Sequence, residues 1–134
     1  MARAWTTATL GLGVTLGACD GATGASDVLC TTPVELSVTV GGAPRAAWTP
    51  GCLVQQVEVF EAIAPSAGGP QTRWAFVAPR GGFAPPITYG QVPVGADVGL
   101  QAVPLVVGHT YLVRLSMTEL VGSSSVVGEA AFTR

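Results

Sequence analysis

From Cys30 onward the apolar and polar positions of the chain alternate with a period of two. Glu35-Leu36-Ser37-Val38-Thr39-Val40 places Leu36, Val38 and Val40 on one face and leaves polar side chains on the other, as a half-buried strand requires. Thr110 to Thr118 repeats the pattern, with Tyr111, Val113, Leu115 and Met117 set against Leu112, Arg114, Ser116 and Thr118. Arg45 to Thr49 reads as a strand closed by Pro50-Gly51, and Leu53 to Glu61 and Thr72 to Ala78 as two more, separated by the loop "APSAGGPQ". Ser125 to Thr133 follows a Gly-Ser turn and is the last. Between Pro79 and Leu105 the pattern is weaker. "PRGGFAPP" is a loop, and "ITYGQV" a short edge strand, because Pro85, Pro86 and Pro93 bracket it and proline cannot donate to a sheet ladder. "VGLQAVPL" is either another strand or the lead into the next turn. No helical period follows residue 18. With 18 Gly and 10 Pro punctuating short strands, the expected architecture is an all-β antiparallel sandwich.

The N-terminal segment has a different logic. Met1 to Arg3 is positively charged, and Ala4 to Ala18 carries no charge and ends in small residues. That is the order of a secretory signal, with an apolar run too short for a permanent transmembrane helix. Its last residues, Leu16-Gly17-Ala18-Cys19, resemble the lipobox of bacterial lipoproteins. The resemblance implies a cleaved signal helix over 1–18, diacylglycerol on the Cys19 thiol with acyl chains of the palmitate kind, and a protein held on the bacterial cell envelope by that lipid. The alternative is an ordinary signal with Cys19 as a disulfide partner, but three cysteines in an oxidising compartment then leave one unpaired. Cys30 is the poorer anchor, since Asp27 interrupts its approach. Residues 19–32 form the lipidated cysteine and a tether, and Asp20 to Leu29 spans roughly 33 Å when extended. Residues 33–134 form the domain.

Within that domain, "PLVVGHTYLVRL" resembles the turn, tyrosine and alternating strand of fibronectin type III domains, "PRAAWTP" their second strand with its core tryptophan, and "GEAAFTR" their last strand. The resemblance implies an immunoglobulin-like sandwich of about seven strands with Trp48 and Tyr111 in the core or at its corner, and no catalysis. In that topology Cys30 and Cys52 fall at the same pole, which favours a Cys30–Cys52 disulfide. Free or metal-bound thiols are the alternative, and no C-x-x-C or Cys/His spacing supports them.

Charge and chemistry narrow the function further. The net charge is −2, lysine is absent, and Arg45, Arg73, Arg80, Arg114 and Arg134 are scattered singly, so no basic patch for nucleic acid is present. One histidine and eight carboxylates, spread thinly, give no metal set, catalytic dyad or cofactor motif. His109 reads as a loop residue, Ser123 to Ser125 as a turn, and Asp97 as a turn residue rather than part of a calcium loop. The expectation is a non-catalytic, lipid-anchored module that is structural or meets an envelope protein, with no cofactor. A carbohydrate-binding surface lipoprotein is the alternative, with Trp74, Phe83 and Tyr89 as candidate stacking residues. Its test is burial, because Trp74 and Phe76 share one strand face as core pairs do.

Overall fold

The computed structural model describes residues 27–62, 68–119 and 122–134. The signal assigned to 1–18 and the anchor Cys19 lie outside these residues, as does most of the tether. The described residues form eight strands: β1 (Glu35–Thr39), β2 (Arg45–Thr49), β3 (Gln56–Glu61), β4 (Gln71–Val77), β5 (Ile87–Thr88), β6 (Asp97–Leu100), β7 (Thr110–Thr118) and β8 (Ser124–Thr133). They pair antiparallel throughout, in a three-stranded sheet of order β1-β2-β5 and a five-stranded sheet of order β6-β4-β3-β7-β8. The fold is an all-β sandwich.

Alternation sets what each strand buries. Ala46, Trp48 and Ile87 face inward from the smaller sheet, with Leu36 and Val38 packed beside them. Val57, Val59, Trp74, Phe76, Val113, Leu115 and Phe132 face them from the larger one. The side chains interlock closely, and a partly open crevice bounded by residues such as Val57, Trp74 and Phe132 measures only about 10 Å³, room for one water at most. Phe60 breaks the alternation. The β3–β4 register shifts between Val59 and Phe60, and the Phe60 ring is buried beneath the Arg114 guanidinium, whose carbon lies 4.6 Å from the ring centroid.

Two seams close the sandwich. On one side the Val34 N–H donates to the Val127 carbonyl at 2.8 Å, which ties the lead into β1 to β8. Gly128 permits this approach, because a Cβ there would meet Val34 Cγ2 at 2.8 Å. On the other side Tyr89 fills the gap, its hydroxyl donating to the Val103 carbonyl at 2.6 Å and lying 3.1 Å from that of Arg73. The pairings define two poles. One gathers Asp27 to Cys30, Cys52 to Val54, Phe83 and the starts of β6 and β8; the other gathers Gly41, the ends of β3 and β8, and His109.

The structure departs from the sequence expectation in two places and decides a third that was left open. Leu53 to Gln55 stay outside β3, because Leu53 bridges Leu29 and Val54 bridges Phe83. "ITYGQV" contributes only Ile87 and Thr88 before the chain turns, with the Gln91 N–H donating back to the Thr88 carbonyl at 3.0 Å. "VGLQAVPL" does hold a strand, β6, which gives eight strands where about seven were expected.

Candidate functional site

The N-terminal pole is built around a covalent staple. Cys30 and Cys52 are joined by a disulfide with their Cα atoms 5.0 Å apart. Backbone bonds run on both sides of it, with Cys30 N–H donating to Leu53 O at 2.9 Å and Leu53 N–H to Val28 O at 2.8 Å. The Trp48 indole N–H donates to the Cys52 carbonyl at 2.8 Å, so the staple is also fastened to the core of the smaller sheet. Gly82 lies against this corner, where a Cβ would come within 2.8 Å of Leu53 Cβ and 2.9 Å of Val54 O. Beside it an open groove of about 450 Å³ runs between Phe83–Thr88 and Gln91–Val94.

The aromatic trio does not form a platform. Trp74 is 1% exposed, with its ring 4.7 Å from Phe76 and 5.2 Å from Tyr89. Phe83 is buried edge-on against Phe76 at 5.0 Å. Tyr89 is half-buried; burial pushes its hydroxyl pKa up, partly opposed by the bond to Val103. The structure thus corrects the assignment of Trp74 and Phe83 as ligand contacts. Trp74 points inward from β4, Phe83 packs on Phe76 where the loop bridges Val54, and neither offers a free ring face to a sugar. Among the described residues the Trp74 indole N–H has no hydrogen-bond partner.

A polar cluster that the sequence did not signal occupies the far pole. Glu61 at the end of β3 accepts from Arg73 Nε at 3.0 Å and from Arg73 Nη2 through one oxygen, and pairs with His109 Nδ1 through the other. Arg73 also donates to Gln71 Oε1 at 3.0 Å. The Arg73 guanidinium, then His109, hold the Glu61 carboxyl below the usual carboxylate range. His109 keeps its solvent-facing position, yet it is tied to β3 across 48 residues of sequence, a link visible only once the loop is folded back. Among the described residues, the neighbouring Thr110 and Thr133 hydroxyls bond each other at 3.2 Å rather than the cluster.

The remaining candidates have ordinary partners. Ser123 Oγ donates to Glu119 Oε2 at 3.0 Å, Ser124 and Ser125 begin β8, and Asp97 begins β6 opposite Val77. Among the described residues no group of three or more His, Cys, Asp or Glu could hold a metal ion, and no helix is long and apolar enough to cross a membrane. Comparison with protein-family models, with curated proteins and with solved structures finds no match for this chain.

Proposed function

We propose that this chain is a lipid-anchored protein of the bacterial cell envelope, fixed through Cys19, whose sandwich serves as a non-catalytic structural or protein-interaction module. The observation that carries the reading is the Cys30–Cys52 disulfide. With those two cysteines joined, Cys19 is the one cysteine left over, at the end of an apolar signal and directly after Leu16-Gly17-Ala18. An unmodified thiol there would be a liability in an oxidising compartment, and acylation removes it. Two or three acyl chains, each methylene contributing about 0.8 kcal/mol, hold such a protein on the membrane without a spanning helix.

We further assign the domain to the fibronectin type III-like sandwiches. Supporting this, Trp48 and Tyr111 are both core residues, and the Tyr111 hydroxyl accepts from the Val106 N–H five residues upstream at 2.8 Å, in the manner of a tyrosine corner. The compact core and the tied polar groups favour a binding or scaffolding surface over a reaction centre.

Intact-mass spectrometry of the detergent-extracted mature protein, before and after reduction and beside a Cys19→Ala control, tests the anchor. The expected species begins at Cys19, carries the mass of a lipid and gains two hydrogens on reduction. A species without lipid would overturn the reading.

A further inference from the structure

The N-terminal pole exposes apolar side chains where the tether joins the domain. Val28 is 63% exposed, Leu29 is exposed beside it, and Val94 is fully exposed with Val92 next to it on the groove rim. These belong to one surface. Leu29 Cδ2 lies 3.3 Å from the position of a Cβ on Gly82, and Gly82 lines the same groove as Val92, Pro93 and Val94. Val40, Val106 and Val107 are exposed at the far pole too, so what sets this surface apart is that the anchored segment joins the domain here.

We propose that this pole is a shallow membrane-contact surface, seated on the lipid headgroup region with the Val92–Val94 ridge and Val28 as its apolar contacts. The inference rests on the Cys19 anchor and goes beyond it by fixing the orientation of the domain. The argument is one of reach and position. Val28 and Leu29 are already bonded to Leu53, so only Asp20 to Asp27, roughly 26 Å at full extension, intervene between the anchor and this pole, and these side chains are held within a short distance of the bilayer. Tethering converts their contact with lipid into an intramolecular step at high effective concentration, so a weak apolar contact is enough. The opposite pole carries the Glu61, Arg73 and His109 cluster and stays outward.

Charge sets the kind of lipid. Asp27 and Asp97 lie at this pole, and Arg80 in the turn before Gly82 is its nearby cation. The acidic excess disfavours an anionic surface, so contact is tighter on zwitterionic phosphatidylethanolamine than on bilayers enriched in phosphatidylglycerol, and added salt lessens the difference.

The two described tryptophans, Trp48 and Trp74, are buried, so an added surface tryptophan reports its own surroundings. The full chain, expressed in bacteria and checked for Cys19 lipid by mass, is reconstituted in phosphatidylethanolamine vesicles with brominated acyl chains as Val94→Trp and, separately, as Val107→Trp. Val107 is 79% exposed at the far pole and controls for the affinity of tryptophan itself for interfaces. The expected result is several-fold stronger bromolipid quenching of Val94→Trp than of Val107→Trp, and the reverse order with aqueous acrylamide. Equal quenching of the two variants on lipidated protein overturns the orientation and leaves the anchor standing. Shielding of Val94→Trp from both quenchers shows a protein on the ridge and overturns the lipid contact. Absence of lipid on Cys19 removes the anchor and the proposal together.

Discussion

The indole N–H of Trp48 donates to the carbonyl of Cys52 at 2.8 Å inside the smaller sheet, so one side chain fills the core and also holds the disulfide loop. Trp74, on the facing sheet, is as deeply buried and has no partner for its N–H among the described residues. Trimming each to phenylalanine removes the same volume but different polar bookkeeping. Trp48→Phe leaves a buried carbonyl unpaired, whereas Trp74→Phe removes a buried donor that was already unpaired. Trp48→Phe is therefore expected to destabilise more than Trp74→Phe, by about 1–3 kcal/mol, read from the two urea midpoints.

The disulfide closes a loop of sequence separation 22 at the pole where the chain enters the fold. Reduction, or Cys30→Ser with Cys52→Ser, is expected to lower unfolding free energy by about 3 kcal/mol through the entropy returned to the unfolded chain. Equilibrium denaturation with and without reductant measures it; an unchanged midpoint would show that the loop is already held by Trp48 and Leu53 alone.

Acid should weaken the far pole first. The folded-state pKa of Glu61 is depressed by Arg73 and His109, so its contribution is fully present above the ordinary unfolded glutamate value of about 4.3 and is lost as pH falls through the lower folded value. Glu61→Gln is expected to reduce stability at neutral pH and to flatten the fall below about pH 4.3, shrinking the gap between variant and parent as the solution becomes more acid. Thermal melts across the acid range check this, and a constant gap would show that Glu61 does not carry the dependence.

Backbone approach, rather than turn geometry, explains Gly82. A Cβ there meets Leu53 Cβ and the Val54 carbonyl, atoms fixed by the bridges to Leu29 and Phe83. Gly82→Ala is expected to cost about 1–3 kcal/mol by overpacking. Gly41→Ala, with nothing within 4 Å of its added Cβ, should stay within about 0.5 kcal/mol of the parent in the same denaturation assay.

The flanking Pro-Gly and Gly-Ser turns made β2 and β8 legible to within a residue, and alternation did the same for β1 and β7, because each has one face in the core and one in water. The same rule correctly paired Trp74 with Phe76 as inward neighbours. It gave no warning about Phe83, which lies in a Gly/Pro-rich loop and is buried only because Val54 leaves the path of β3 to bridge it. The Glu61, Arg73 and His109 cluster was equally hidden. It depends on the register of β3 against β4 and on where the turn before β7 lands, and neither is written in local spacing. Val40, expected on the buried face of the first strand, is exposed because pairing with β2 stops at Thr39.

The position of the staple also decides how the molecule answers a pull. Tension drawn along the N-terminal segment reaches Cys30 before it reaches β1, and the Cys30–Cys52 bond passes it across to the segment leading into β3, the central strand of the larger sheet. The seam between Val34 and Val127 is spared, so β1 is not peeled away residue by residue. Force on the intact disulfide must instead shear a strand hydrogen-bonded on both sides, and reduction alone turns the same pull into unzipping from the edge.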